Sequence, residues 1–108
     1  MAAARALVQL PRPVRRGEAF EVRTLVGHPM ETGYRRDSDG RMLPRDIVRR
    51  LEVRLDGERV FAAELHPAIA ANPFIAFWLV AERSGVLELQ WRGDNGFMHT
   101  ERVDVVVA

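Results

Sequence analysis

The 108-residue sequence contains no cysteine and no lysine, and it has only two serines, Ser38 and Ser84. Without a thiol, the chain can form no disulfide, no cysteine nucleophile and no thiolate metal site. Each serine lies in a predicted turn, and neither has the strained strand-to-helix motif that exposes a serine nucleophile. The sequence therefore predicts that this chain is not an enzyme on its own.

Long apolar runs are also missing. No stretch of about 18 apolar residues is present, so no membrane-spanning helix is predicted. The apolar segment from Ala6 to Leu10 is interrupted by Gln9 and closed by Pro11, so we predict no signal peptide. On these grounds alone the chain is expected in the cytoplasm.

Charge of one sign is not in excess: 16 arginines stand against 15 aspartates and glutamates. Between residues 35 and 59, eight arginines are interleaved with six carboxylates, whereas nucleic-acid binding needs a basic stripe. We therefore predict no nucleic-acid partner. The exclusive use of arginine has two interpretations, GC-rich codon usage or a preference for planar guanidinium groups at interfaces and oxyanion sites.

Two-residue alternation of apolar and polar side chains dominates the sequence and predicts half-buried strands. Asp56-Gly57 and Asn95-Gly96 are hairpin signals. Further strands around Ala6–Gln9 and from Pro73 to Ala81 bring the number to about seven, which predicts an all-β antiparallel β-sandwich. A single domain spans residues 1–108, with at most a short helical turn at Pro67–Ala71. The alternating segments are Phe20 to Val26, Leu51 to Leu55, Leu87 to Trp91 and Val103 to Val107.

The strand from Phe74 to Ala81 departs from this alternation because both of its faces are apolar. One interpretation is a central strand that is covered by a loop or by the N-terminal segment. The other is that one face contacts a second protein, since soluble monomers seldom expose a contiguous aromatic patch.

Two proline-bracketed loops carry the candidate functional residues. The connection from Gly27 to Asp46 is roughly 20 residues long, and loops of that length are usually functional or disordered. A fold could bring it together with the second segment, Leu65 to Phe74, at one end of the sandwich. The histidines lack the spacing of metal ligands, so we predict no metal and interpret them as solvated or hydrogen-bonded loop residues. The candidate recognition residues are His28, Pro29, Met30, Glu31, Arg35, Arg36, Asp37, His66, Pro67, Asn72 and Pro73.

The sequences of these loops, HPMETGYRRD at 28–37 and LHPAIAANPF at 65–74, resemble the SoxZ family, whose members are subunits of the SoxYZ sulfur-carrier complex of bacterial thiosulfate oxidation. The resemblance covers Val14 to Val107. It is supported by Arg16-Gly17-Glu18, Pro44-Arg45, Ile47, Asp56-Gly57-Glu58 and Ser84-Gly85.

The resemblance implies an immunoglobulin-like sandwich, no cofactor and a heterodimer with SoxY. The C-terminal arm of SoxY carries sulfur intermediates on a cysteine near a Gly-Gly-Cys-Gly-Gly motif. The implied role of this chain is to bind SoxY and to help present the loaded arm to the other Sox enzymes, which it contacts transiently. It also implies a periplasmic location, reached by co-export with the partner.

As part of such a heterodimer, the chain is expected to contact SoxY through the doubly apolar strand or the last strand. For the first loop we consider two hypotheses: Arg35 and Arg36 contact the anionic sulfur adduct, or Arg36 pairs with Asp37 to stiffen the loop. The alternative function is a generic immunoglobulin-like interaction module in adhesion, secretion or scaffolding. The candidate partner contacts are Phe74, Ile75, Phe77, Trp78, Val103 and Val105.

Overall fold

Two antiparallel sheets pack face to face in the computed structural model, which describes residues 5–108. One sheet has three strands in the order β1-β2-β5, and the other has four in the order β4-β3-β6-β7. The predicted all-β sandwich of about seven strands is confirmed. No helix in the described residues is long and apolar enough to cross a membrane. The strands are β1 Ala6–Gln9, β2 Ala19–Val26, β3 Val48–Leu55, β4 Glu58–Glu64, β5 Phe74–Val80, β6 Gly85–Gly93 and β7 Met98–Val105.

Both predicted hairpin turns are present. Asp56 and Gly57 join β3 to β4 with φ values of 50° and 84°, and positive φ at both central residues matches the twist of the flanking strands. Asn95 and Gly96 lie in a single 3-10 turn between β6 and β7. At Pro67–Ala71 the structure has a turn in which Ile69 N–H donates to the His66 carbonyl at 3.0 Å, not a helix.

The core lies between the sheets and follows the alternation of the sequence. Along β2, Phe20, Val22, Thr24 and Val26 are buried while their neighbours are not. The Thr24 hydroxyl donates to the Ile75 carbonyl at 2.8 Å, so this buried polar group is satisfied. The largest apolar side chains that are completely buried are those of Trp91, Ile47, Leu51, Leu87 and Leu89.

β5 lies at the edge of the three-stranded sheet, and within residues 5–108 it pairs only with β2. The interpretation of this segment as a covered central strand is therefore wrong. One face of the strand packs into the core through Phe77 and Leu79, whereas Phe74 and Trp78 on the other face remain exposed. The apolar character of this outer face is thus not explained by burial within the chain.

The start of β3 contains a β-bulge between Val48 and Arg50, opposite the end of β6. Gly93 lies so close to the Ile47 carbonyl that a Cβ would collide with it. Only glycine fits such an approach of two backbones. The bulge makes Arg49 an extra residue in this strand and changes the direction of its side chain.

Candidate functional site

The first long loop is an irregular hairpin that leaves the sandwich between β2 and β3. Glu31 and Asp46 exchange two backbone hydrogen bonds of 2.8 Å, and a second bridge joins Arg36 to Met42 further out. The loop is therefore tied to itself along its length, which gives its outer residues fixed positions.

His28 anchors the base of this loop from the inside. Its side chain is about 4% exposed, and its Nδ1 accepts a hydrogen bond from Met30 N–H at 3.0 Å. The ring lies edge-on to Phe97, with centroids 4.8 Å apart, and Nε2 is 3.5 Å from Asp46 Oδ1. His28 is thus a structural residue of the loop base.

Asn72 joins the two proline-bracketed loops. Its Oδ1 accepts from His28 N–H at 2.9 Å, and its own N–H donates to the His28 carbonyl at 2.7 Å. Asn72 adopts φ 53°, a conformation that asparagine tolerates better than most residues. The Pro73 carbonyl accepts from Val26 N–H at 3.2 Å. The two loops therefore do meet at one end of the sandwich.

Met30 is also an interior residue. It is buried with φ 54°, and its Sδ accepts a hydrogen bond from Val48 N–H at 3.2 Å. With His28 and Met30 inside, the outer surface of the loop includes its other candidates together with Tyr34 and Met42, which are exposed.

The loop arginines are engaged within the loop, but not in the expected pairing. Arg35 Nη2 lies 2.6 Å from Glu31 Oε1, and this hydrogen bond lowers the pKa of Glu31 and raises that of Arg35. Arg36 Nη1 donates to the Gly40 carbonyl at 2.7 Å. Asp37 Oδ1 accepts from backbone N–H groups two and four residues later. The hypothesis of an Arg36–Asp37 pair is therefore wrong, although both residues do stiffen the loop.

Asp94 fastens the end of the first loop to the end of β6. Arg45 donates to both of its carboxylate oxygens, at 2.8 and 2.9 Å, and Ile47 N–H donates to it at 3.2 Å. The hydrogen bond from Arg45 holds the pKa of this carboxyl below its ordinary value, with the Ile47 N–H acting in the same direction.

We expect Asp94→Asn to lower the free energy of unfolding at neutral pH by about 1 kcal/mol, because a bidentate charged pair with one exposed partner is lost. A carboxyl whose folded pKa is lowered stabilises the fold above its unfolded pKa and loses that effect as pH falls through the folded value. Urea unfolding at several pH values should therefore show the difference shrinking below about pH 4.

Asp104→Asn is the matched control, since Asp104 is exposed and forms no ion pair within residues 5–108. A difference between Asp94→Asn and wild type that stays constant from pH 7 to pH 2 would contradict the assigned pairing.

A shallow cavity of about 560 Å³ opens at the same end, on the outer face of the four-stranded sheet. Pro67 is half-buried beside it, and Pro29 on the first loop is exposed. None of the four arginines at this cavity was among the candidates. The bulge that adds Arg49 to β3 cannot be recognised from local periodicity, and the pairing of Arg50 with Arg92 depends on the β3–β6 ladder. The charged and titratable lining consists of Arg45, Arg49, Arg50, Arg92, Glu64 and His66.

The second surface feature is the outer face of the three-stranded sheet. Leu7, Leu25 and Phe74 are in register across β1, β2 and β5. Further along β5, Trp78 and Val80 are exposed as well. Phe74 and Trp78 are 61% and 64% exposed, values unusual for large aromatic side chains on a monomer.

The other candidate partner contacts lie elsewhere. Phe77 and Val105 are buried in the core, and Ile75 and Val103 are half-buried against it. These four side chains support the surface strands from within. Of the six candidates, only Phe74 and Trp78 present their side chains to solvent.

The serine and histidine side chains that were considered for catalysis or metal binding lie in separate parts of the described structure. Ser84 Oγ accepts a hydrogen bond from Val107 N–H at 2.8 Å, and His99 Nε2 lies 2.8 Å from Glu101 on the same strand. Residues 5–108 hold no group of three or more histidine, cysteine, aspartate or glutamate side chains arranged for a metal ion.

Comparison with known protein families gives one match over most of the chain. A family model described as "Sulphur oxidation protein SoxZ" matches residues 8–104. No curated protein matches the sequence.

Solved structures share the fold at low sequence identity. The superoxide reductase (neelaredoxin) of Ignicoccus hospitalis superposes with a TM-score of 0.71 at 21% identity, over 95% of this chain and 80% of that one. The sulfur carrier protein SoxY of Chlorobium limicola f thiosulfatophilum superposes with a TM-score of 0.65 at 11% identity, over 95% and 78%. At these identities the similarity establishes a common β fold and does not transfer function.

Proposed function

The chain belongs to the SoxZ family of sulphur oxidation proteins, and from this membership we propose that it is a non-catalytic subunit that binds a SoxY-like carrier. In this proposal it forms a heterodimer with the carrier and helps present the carrier's sulfur-loaded C-terminal arm to other Sox enzymes. The 108 residues contain no cysteine, and in this proposal the sulfur is attached to the partner.

The observation that carries this proposal is the exposed apolar face of the three-stranded sheet. Leu7, Phe74, Trp78 and Val80 are all more than half exposed. Phe74, Trp78 and Val80 lie along β5, and the neighbouring positions of β2 hold Leu25 and the ion pair of Glu21 and Arg23. A row of exposed large apolar side chains rimmed by charge marks protein interaction sites. Large aromatic side chains are the usual anchors at interface centres, because each removes a large apolar area from water when it is covered.

The position of β5 adds a second reason. As an edge strand it offers backbone N–H and C=O groups on the side away from β2, and an uncovered edge is a template for pairing with another chain. Natural proteins protect such edges with charge or proline, whereas every residue of β5 is apolar. A partner seated over β5 would cover the edge and the aromatic side chains together.

Co-expression with a SoxY-like protein tests both the complex and its location. We expect the two chains to copurify in equal amounts, and we propose that both reach the periplasm when the partner carries its export signal. Removing that signal should leave the intact complex in the cytoplasm. Separate purification of two monomeric, soluble chains would contradict the heterodimer and favour a generic interaction module, whereas a complex that stays cytoplasmic with the signal present would contradict only the export route.

A further inference from the structure

The cavity at the loop end of the four-stranded sheet contains an unusual pair of like charges. Arg50 on β3 and Arg92 on β6 are directly opposite each other in the ladder, and like charges in this position are destabilising. Arg50 has Glu64 on its other side, but at 3.7 Å, which is beyond hydrogen-bonding distance. Arg92 donates its Nε–H to the neutral amide oxygen of Gln90 at 2.8 Å.

Two more arginines reach the same cavity through specific backbone features. The bulge in β3 places Arg49 at the cavity wall, and Asp94 holds Arg45 at the cavity by the bidentate pair. Arg49 is 4.0 Å from the same carboxylate. One carboxylate thus serves two guanidinium groups, and its stronger interaction is with Arg45.

The cavity and its immediate surroundings therefore carry a net positive charge. Four guanidinium groups line the cavity, and the carboxylates near them are those of Glu64 and Asp94. Arg92 forms no ion pair with any residue of the described range 5–108, and the Glu64 side chain is 71% exposed. An anion placed between Arg50 and Arg92 would relieve their repulsion and could accept hydrogen bonds from both.

We propose that this cavity binds a sulfur oxyanion through Arg50 and Arg92, and that Arg49 adds to the positive electrostatic potential there. Guanidinium groups donate in a planar fork that matches the oxygens of such groups. The choice of sulfur among oxyanions rests on the proposed function, whereas the anion site itself rests on the geometry.

The size of the cavity is relevant to whether the bound anion is free or attached to a protein chain. A volume of about 560 Å³ falls within the range of small-molecule sites and exceeds what one tetrahedral anion needs, given that about 10–15 Å³ of cavity volume already holds a water. The space accommodates an oxyanion together with the chain that bears it. His66 and Pro67 of the second loop line this cavity, so one of the two loops that resemble the SoxZ family also shapes this site. The anion is either free or the terminal group of a sulfur adduct on the carrier arm.

The first experiment measures binding of free anions to the purified chain. Thiosulfate and sulfate are titrated against chloride at constant ionic strength, with the side-chain Nε–H resonances of arginine as the readout. We expect selective shifts for Arg50 and Arg92, and we expect the double variant Arg50→Ala/Arg92→Ala to weaken binding at least about tenfold. The matched control is Arg59→Ala/Arg83→Ala, which removes the same charge from two exposed arginines outside the cavity lining and should bind as wild type does.

Arg50→Lys/Arg92→Lys keeps the charge and loses the fork, so we expect intermediate affinity and an unchanged fold. This variant remains informative if the alanine variant is poorly folded. If the cavity variant and the control variant weaken anion binding equally, binding depends only on overall positive charge, and the proposed site is overturned.

The second experiment distinguishes the source of the anion. The complex with a SoxY-like carrier is prepared with and without a thiosulfonate group on the carrier cysteine, and the same arginine resonances are compared. Shifts with free anions assign a soluble ligand, and shifts only with the loaded carrier assign the adduct. Unshifted Arg50 and Arg92 in both experiments overturn the site. Copurification of the two chains would still stand in that case, so failure of this inference is distinguishable from failure of the proposed function.

Discussion

Trp78→Ala is expected to weaken the complex with a SoxY-like carrier by about 30-fold to 1,000-fold. Truncation of an aromatic anchor at the centre of an interface costs about 2–4 kcal/mol, and every 1.4 kcal/mol is tenfold in affinity. Because Trp78 is 64% exposed in the isolated chain, its removal takes little from the core. The dissociation constant should therefore change while the thermal midpoint of the isolated chain remains within a few degrees.

The matched control is Met98→Ala. Met98 is equally a large apolar side chain and is 61% exposed, but it lies on β7 at the far edge of the other sheet. Calorimetric titration of both variants with the carrier shows which of the two sheets forms the interface. A Met98→Ala variant weakened as strongly as Trp78→Ala, or a Trp78→Ala variant with wild-type affinity, would place the interface elsewhere.

His28→Ala is expected to lower the free energy of unfolding by about 2–4 kcal/mol. The substitution leaves a cavity beside Phe97 and removes the acceptor of the buried Met30 N–H. Both losses are costly in an interior. For a domain of this size the thermal midpoint should fall by roughly 10–25 °C.

His66→Ala is the matched control for His28→Ala. Each histidine precedes a proline in a loop of the family pattern, but His66 is exposed at the cavity. Its replacement should change stability by less than about 0.5 kcal/mol. His28→Asn should recover part of the lost stability, because an amide oxygen can replace Nδ1 as acceptor for Met30 N–H. Similar destabilisation by His28→Ala and His66→Ala would contradict the structural role assigned to His28.

Local sequence patterns predicted most of the strands because they depend on neighbouring residues alone. The alternation in β2 and β6 and the turns at Asp56-Gly57 and Asn95-Gly96 required only periodicity and the φ preferences of the turn residues. The position of β5 at a sheet edge could not be predicted in this way. An apolar strand has the same sequence whether a second strand, a partner or solvent covers it, and only the topology distinguishes these cases.

In the candidate site, too, local sequence predicted some features, whereas others depend on tertiary structure. Both loops were recognised from sequence, and their contact at one end of the sandwich was anticipated. The exchange of hydrogen bonds between His28 and Asn72, residues 44 positions apart, depends on tertiary structure. So does the grouping of Arg50 with Arg92, which are separated by 42 positions and become neighbours only through the β3–β6 ladder. The interleaving of arginine with acidic residues concealed this cluster, because charge along the chain averages over both faces of each strand.

Hydrogen exchange of the chain, alone and in complex with a SoxY-like carrier, tests the proposed interface most directly. The edge position of β5 leaves part of its backbone without a partner strand, so its exchange should be fast in the isolated chain. We expect the complex to slow exchange in β5, with smaller effects in β1 and β2. Slowed exchange confined to β4 or β7, or no change anywhere in a complex that copurifies, would contradict docking on the three-stranded sheet.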